Sequence, residues 1–113
     1  MKNIFAFVTL FMALTASSPI LKTSLNVTVR DETGNLVPGA NIKLYSNREN
    51  WEKETGHFAE GVTDEKGIFK FKEVTQLNIY LLVRKDDRDN TNGGEQTKLE
   101  DGKINKITVV IQE

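Results

Sequence analysis

Two segments of this chain alternate apolar and polar residues around glycine-containing turns, and this pattern constrains the fold most. Residues 25–45 read LNVTVRDETGNLVPGANIKLY, and residues 61–74 read GVTDEKGIFKFKEV. A period of two places successive side chains on opposite faces of a strand, so one face can be buried while the other meets water. Both segments therefore predict antiparallel strands that are connected by tight turns.

The rest of the sequence extends this prediction to an all-β chain of about seven short antiparallel strands, with the spacing of a β-sandwich and no helix of useful length. The strands are expected at residues 25–30, 40–45, 58–63, 68–72, 78–85, 95–99 and 103–112. The strand at 78–85 is apolar on both faces, so we expect it to be central and covered on both sides for part of its length. Residues 46–56 are polar except for Trp51 and are predicted to form a loop or one short helical turn.

Glycine and proline mark the predicted turns. Gly34 stands in the turn that begins at Asp31, and Gly39 follows Pro38, so both glycines are expected to adopt positive φ angles. Residues 64–67, DEKG, are predicted to be a four-residue hairpin connection. One face of each strand is expected to supply the core, with Leu25, Val27, Val29, Ala40, Ile42, Leu44, Phe69, Phe71, Ile79, Leu81, Val83, Ile107, Val109 and Ile111 pointing inward.

The first residues have the layout of a secretory signal peptide. A short basic start is followed by an uncharged apolar run at residues 4–14, and small residues then precede Pro19. The apolar run is too short to span a bilayer, whereas the layout as a whole suits cleavage and export. We therefore expect a signal peptide at residues 1–17, a lead-in at 18–24 and the sandwich at 25–113.

Composition limits the setting in which the chain works. The sequence contains no cysteine, so the exported domain has no disulfides and must be held by its core alone. Its 15 basic and 16 acidic side chains are interspersed along the chain, and no polybasic patch for nucleic acid is visible. We expect a periplasmic or secreted protein with no nucleic-acid partner and no stable membrane insertion after the signal peptide is removed.

The order of the turn motifs resembles the carboxypeptidase regulatory-like domains, which are transthyretin-like (prealbumin-like) seven-stranded sandwiches. The matching residues are Val29, Asp31, Gly34, Val37, Pro38, Gly39, Ala40, Ile42 and Leu44, then Gly61, Thr63, Asp64, Gly67, Phe69 and Phe71, and finally Tyr80. The pairs Leu44-Tyr45 and Asn50-Trp51 are similar to those of small exported proteins of Bacteroidetes-type bacteria. The resemblance implies a non-catalytic accessory or binding module.

Catalytic machinery is scarce in the sequence. His57 is the only histidine, and no cysteine is present to join it in a zinc site or a nucleophile–base pair. The enzymatic member of the transthyretin group, 5-hydroxyisourate hydrolase, relies on more than one histidine, so the resemblance does not extend to its activity. We therefore predict a protein that is not an enzyme, with a small hydrolase as the least favoured function.

One loop carries the oxygen donors that calcium prefers, namely Asp86, Asp87, Asp89 and Asn90. The spacing departs from the helix–loop–helix calcium pattern, because Asn92 stands where that pattern requires glycine. Lys85 and Arg88 would also repel a cation. A solvated turn rich in Asp, Asn and Gly explains the same composition, so calcium is the only candidate cofactor and a solvated turn is the favoured interpretation.

Trp51, Tyr45 and His57 are the candidate binding residues. Trp51 stands alone in a polar segment, and exposed indoles stack on sugars or anchor protein interfaces. The alternative is that Trp51 folds back over an end of the sandwich and caps its core. Tyr45 points outward by alternation and could join either role. With the loop at residues 86–94, these residues lead to the hypothesis of an exported module that binds a polysaccharide or an envelope protein. A structural subunit that assembles through sheet edges is the alternative.

Overall fold

The structure is a computed structural model that describes residues 22–93 and 96–113. The predicted signal peptide at residues 1–17 and Glu95, the first residue of one predicted strand, lie outside these ranges. Within them the chain forms eight strands and one short helix, which are β1 Ser24–Asp31, β2 Asn41–Tyr45, α1 Arg48–Lys53, β3 Ala59–Val62, β4 Ile68–Phe71, β5 Asn78–Lys85, β6 Arg88–Asp89, β7 Gln96–Lys98 and β8 Ile104–Ile111. The fold is therefore all-β, as the alternating pattern predicts.

The strands are arranged in two sheets. The first has the order β4-β1-β8, and the second has the order β3-β2-β5, with β6 and β7 both paired to β5. The prediction of purely antiparallel pairing is wrong at one place, because β1 and β8 run parallel from Ser24 opposite Ile104 to Asp31 opposite Ile111. A parallel pair needs a long connection. Here the whole second sheet lies between the two strands in the sequence.

One hydrophobic core lies between the two sheets. Every side chain that the alternation places inward belongs to this core or packs against it, and among them only Phe69 and Ile107 are partly buried. Both sheets contribute, because each strand has one apolar face that must be covered. The result is a sandwich-like arrangement with two outer faces, which are the surfaces available for function.

The two turns that begin at Asp31 and Asp64 have the same construction. In each, the aspartate carbonyl accepts from the glycine three residues later, and the aspartate N–H donates to the carbonyl one residue beyond that glycine. Gly34 and Gly67 have φ angles of 90° and 74°. The positive φ predicted for Gly34 is therefore confirmed, and the shared DExG sequence gives a shared geometry.

The turn at residues 64–67 does not close a hairpin within one sheet, contrary to the prediction. β3 pairs with β2, whereas β4 pairs with β1, so the turn carries the chain from one sheet to the other. Thr63 stabilises the point at which the chain leaves β3. Its hydroxyl donates to Val37 O at 2.7 Å and accepts from Ala40 N at 2.8 Å. Alternation reports which face of a strand is buried, but it does not report which sheet the strand joins.

The segment at residues 46–56 contains a helix of six residues, the second of the two predicted alternatives. The helix begins after Asn47, whose side-chain oxygen accepts from Asn50 N at 2.8 Å. It ends at Glu54, which has a left-handed φ of 54°. Its buried residue is Trp51, and the helix lies against β2 and β5. Part of one outer face of the sandwich is thereby covered.

Candidate functional site

Trp51 covers the outer face of the second sheet. The indole is 8% exposed and packs with Tyr45, Leu82 and the partly buried Tyr80. Its Nε1 donates to the Leu81 carbonyl oxygen at 2.8 Å. A ring that is almost wholly buried, with its only donor engaged, has little surface left for stacking on a ligand. The position of Trp51 favours the capping alternative, although the residue covers the side of a sheet and not an end of the sandwich.

Tyr45 and His57 lie side by side at the margin of this covered face. Tyr45 points outward as predicted but is fully buried, and its ring meets His57 edge-on with 6.1 Å between centroids. Within the described residues its hydroxyl has no hydrogen-bond partner, and burial raises the pKa of the phenol. His57 is exposed, with Nε2 3.4 Å from Glu60 Oε1. The structure thus brings the three candidate binding residues together, but only His57 is open to a ligand.

In the candidate calcium loop, the side chains of Asp89 and Asn90 have partners within the fold. Asp89 Oδ1 accepts from the backbone N–H and the hydroxyl of Thr91, at 3.0 and 2.7 Å. Its Oδ2 lies 3.4 Å from the Arg84 guanidinium. The Thr91 hydrogen bonds, with Arg84, hold the pKa of Asp89 below its ordinary value. Asp86 and Asp87 are exposed in the turn before β6. These carboxylates do not converge on a common point.

Asn90, the fourth donor of that loop, serves the sheet. It is 3% exposed, its Oδ1 accepts from Val83 N, and its Nδ2 donates to Leu81 O, both at 2.9 Å. The side-chain amide thus replaces a strand residue beside β5, in the interval between β6 and β7. Among the described residues, no group of three or more His, Cys, Asp and Glu side chains could hold a metal ion.

The outer face of the first sheet is open within the part of the chain that the structure describes. None of its side chains is buried, and they are Ser24, Asn26, Thr28 and Arg30 of β1, Ile68 and Lys70 of β4, and Ile104, Lys106, Thr108 and Val110 of β8. With Lys72, which directly follows β4, the surface carries four cations and no carboxylate side chain. We refer to these eleven residues as the basic face.

Strand register brings the cations of the basic face together. Asn26 lies opposite Lys70 on one side and Lys106 on the other, so the two lysines flank it at one strand spacing each, about 4.8 Å. Within the described residues, neither these lysines nor Lys72 forms an ion pair. Arg30 donates to Gly34 O at 2.7 Å and keeps its charge. The sheet therefore presents a surface of unneutralised positive charge.

A shallow hollow of about 290 Å³ lies on this face, lined by Ser24, Asn26, Lys70, Phe71, Lys72 and Ile104. The basic face is not apparent from the sequence, because its cations are far apart in the chain and only the β4-β1-β8 order brings them together. The sequence does contain one signal for this face, which is the position of each charge within its strand. Each charge sits on the polar face of an alternating strand, but the strand order was needed to place those faces side by side.

No family model matches the sequence, and no significant match is found among curated proteins. Solved structures with a similar fold include chlorocatechol 1,2-dioxygenase from Pseudomonas putida, with a TM-score of 0.53 and 15% identity over 86% of this chain and 63% of that one. Catechol 1,2-dioxygenase from Pseudomonas arvilla C-1 has a TM-score of 0.53 and 10% identity, over 85% of this chain and 53% of that one. This chain thus matches less than two thirds of either enzyme, and at such identities the likeness concerns the fold alone.

In the described residues, no helix has the length and apolar character required to cross a membrane.

Proposed function

We propose that this chain is an exported, non-catalytic binding module of the periplasm or cell surface, whose partner is a polysaccharide or a protein of the envelope. One observation carries the proposal: the two outer faces of the sandwich differ. α1 and Trp51 cover part of the face of the second sheet, where Glu60 and Val62 stay exposed. The face of the first sheet carries no covering element within the described residues, is charged and has a hollow. A rigid core with one open charged surface is suited to recognition of a partner.

We propose further that the two sheets form a carboxypeptidase regulatory-like, transthyretin-like sandwich. Support comes from the turns at Asp31 and Asp64, which are built alike, and from Tyr80 in the strand that follows them. An experimental structure of residues 18–113, compared with domains of that family, tests the assignment. The assignment would be contradicted if the strand order of the second sheet differed from the order found in domains of that family.

The absence of catalysis is supported by the shortage of suitable side chains. The complete sequence has one histidine and no cysteine, whereas the common iron site of two histidines and one carboxylate needs a second histidine. The test is to incubate residues 18–113 with iron, catechol and oxygen and to follow ring opening by absorbance. We expect catechol ring opening to be no faster with the protein than with iron alone. A protein-dependent rate would overturn the non-catalytic proposal.

Export can be tested independently of binding. The full chain is produced in a Gram-negative host, and the mass of the periplasmic product is measured. We expect a product that has lost the first 17 residues or close to that number. Leu10→Arg interrupts the apolar run of the signal and should retain the full-length chain in the cytoplasm. A full-length cytoplasmic product from the unchanged sequence would contradict the proposal.

Binding is tested by calorimetric titration of residues 18–113 with purified envelope polysaccharides and envelope proteins. Trp51→Phe is the informative variant for the sugar-stacking hypothesis. Because the Trp51 ring is covered, we expect this variant to bind as the parent does. A loss of affinity in a folded Trp51→Phe protein would indicate that Trp51 contacts the ligand.

A structural subunit that assembles through sheet edges is the second candidate, and one observation favours it. The eight-residue strand β8 lies at a sheet edge, and on its far side the described residues pair only at Gln112, which exchanges two hydrogen bonds with Asp89. By alternation, Val110, Thr108 and Lys106 direct their backbone groups to the same open side. Sedimentation velocity at high concentration tests this candidate, and a strictly monomeric protein counts against it.

A further inference from the structure

We infer that the basic face binds an anionic polysaccharide, a polymer whose sugar units carry carboxylate or sulfate groups. The inference rests on the proposed binding function and names its ligand class and its surface. The hollow between β4, β1 and β8 would receive one charged sugar unit, and the rest of the face would follow the polymer across the sheet.

Charge distribution is the first support. The whole chain has a formal net charge of −1, whereas the basic face holds Arg30, Lys70, Lys72 and Lys106 and no carboxylate. A cluster of one sign on a slightly acidic protein creates a local field that attracts the opposite charge. The carboxylate of Asp64, in the turn before β4, attracts Lys70 electrostatically. One oxygen of this carboxylate is already hydrogen-bonded to the backbone N–H groups of residues 66 and 68. The face therefore keeps its positive character.

The lining of the hollow is the second support. Lys70 and Lys72 bring ammonium groups, while Ser24 and Asn26 bring a hydroxyl and an amide that can donate to or accept from sugar hydroxyls. Ile104 is 67% exposed at the same hollow and offers an apolar wall for the C–H side of a sugar ring. Charge, hydrogen-bonding groups and an apolar surface in one depression are what an acidic sugar requires.

The same residues disfavour other anionic polymers. No aromatic side chain points outward on the basic face, so single-stranded nucleic acid would lack a stacking platform. Hydroxyl groups of Thr28 and Thr108 lie between the charges in the middle of the sheet. A polyhydroxylated ligand uses these groups, whereas a lipid surface does not.

The chain's own N-terminal segment does not supply the missing counter-charge. Residues 1–21 include no aspartate or glutamate, and they carry one lysine at position 2. These 21 residues therefore offer no carboxylate to the basic face.

The experiment compares two double variants that change the net charge equally. Lys70→Gln with Lys106→Gln removes the charges that flank Asn26. Lys53→Gln with Lys98→Gln removes two exposed charges outside the basic face, one on α1 and one on β7 of the second sheet. Residues 18–113 in each form are titrated with dextran sulfate and polygalacturonate, and with unmodified dextran as the neutral polymer. Circular dichroism verifies that each variant is folded.

We expect both charged polymers to bind the parent protein and neutral dextran to bind much more weakly. The Lys70 and Lys106 double variant should lose about tenfold in affinity, equivalent to about 1.4 kcal/mol, and the control should change by less than about twofold. Affinity should fall as salt is added, and this salt dependence should be smaller in the Lys70 and Lys106 variant. NMR shifts on polymer addition should cluster on β1, β4 and β8.

Other outcomes separate this inference from the proposed function. Equal losses in the two double variants, or no binding of either charged polymer, would overturn the inference. If a neutral polysaccharide or an envelope protein still binds, the binding module stands and only its ligand class is wrong. Stronger binding to duplex DNA or to anionic phospholipid vesicles, with the same dependence on Lys70 and Lys106, would replace the polysaccharide by that ligand.

Discussion

At the scale of single residues, Tyr45 carries a hydroxyl that the fold buries without a partner in the described residues. A buried polar group without a hydrogen bond costs about 1–3 kcal/mol. We therefore predict that Tyr45→Phe leaves the free energy of unfolding unchanged or raises it by about 1 kcal/mol, measured by urea denaturation. Tyr80→Phe is the control for loss of a hydroxyl from a partly buried ring. A Tyr45→Phe variant destabilised by more than about 1 kcal/mol would show that the hydroxyl has a partner.

The same phenol gives a pH dependence. Burial raises the pKa of Tyr45, so the folded state favours the neutral form. The contribution of this group to stability is complete below the ordinary phenol pKa of about 10 and is lost as the pH rises through the folded value. We predict that stability of the parent falls more steeply above pH 10 than that of Tyr45→Phe. Thermal unfolding between pH 8 and 11 measures the difference, and parallel curves would contradict it.

Trp51 allows its packing to be separated from its hydrogen bond. Trp51→Ala removes a buried ring and should reduce the free energy of unfolding by about 3–5 kcal/mol. Trp51→Phe keeps an aromatic ring and loses the bond to Leu81 O, which still accepts from Asn90 Nδ2, so its cost should be close to 1 kcal/mol. Urea denaturation followed by circular dichroism measures both. Equal and small losses would mean that Trp51 does not cap the sheet.

Sequence reasoning at this scale predicts side-chain direction better than burial. Tyr45 points outward, as alternation requires, yet it is buried because α1 lies over that face. Alternation contains no information about what covers the outer side of a sheet. For the same reason the sequence does not decide whether Trp51 caps a sheet or binds a ligand, because either role is compatible with an apolar ring in a polar segment.

At the scale of elements, the two sheets are in tight contact at Gly61 of β3. A Cβ at this position would overlap the Phe69 ring of β4, which itself packs edge-on against Phe71 at 4.7 Å between centroids. Gly61→Ala should therefore cost about 1–3 kcal/mol through overpacking. Phe69→Leu frees space at the same point. We predict that the double variant is more stable than the sum of the two single losses implies, by at least about 0.5 kcal/mol in a double-mutant cycle. Strict additivity would contradict the contact.

The turns at Asp31 and Asp64 make the stability of the fold depend on pH in the acidic range. Hydrogen bonds, from Thr33 and Asn35 in one turn and from backbone N–H groups in the other, lower the pKa of each carboxyl below its ordinary value. Their contribution to stability is present above the unfolded-state pKa of about 3.9 and is lost as the pH falls through the lower folded values.

Removing the two charges should flatten this dependence. Asp31→Asn with Asp64→Asn keeps oxygen acceptors in both turns but cannot be protonated in this range. We predict that its free energy of unfolding varies less between pH 5 and pH 2 than that of the parent. Glu65→Gln is a control that removes one neighbouring carboxylate, since Glu65 forms no hydrogen bond within the described residues. If the parent and the double variant lose stability equally on acidification, the turns are not the source.

Seven of the eight strand positions follow from the sequence because local alternation and glycine turns specify them. The exception is β6 at Arg88–Asp89, which lies in a segment predicted to be a loop. The bounds of β5 agree with the predicted 78–85, and β1 and β2 differ from prediction by one residue at their ends. Pairing does not follow in the same way. The parallel β1–β8 pair and the passage of the chain between sheets at 64–67 depend on contacts between distant residues, and Thr63 has no local signal that announces its role.

At the scale of the whole molecule, the functional surface is a product of topology. The four cations of the basic face are ordinary solvent-facing residues in three separate strands. They become one surface only when β1 is placed between the distant strands β4 and β8. The sequence contains no run of positive charge, so a face of this kind is visible only after strand order is known.

The same topology makes the last strand essential to the core. Ile111 of β8 is fully buried opposite Asp31 of β1, while its neighbour Val110 is 50% exposed on the basic face. Ile111→Ala should reduce the free energy of unfolding by about 2–5 kcal/mol, because it empties the core where the end of β8 lies beside the end of β1. Val110→Ala removes a similar apolar group from the surface and should change stability by no more than about 0.5 kcal/mol. Urea denaturation followed through Trp51 fluorescence measures both. If the two losses are equal, β8 does not close the sandwich in this register, and the basic face that depends on the register is lost with it.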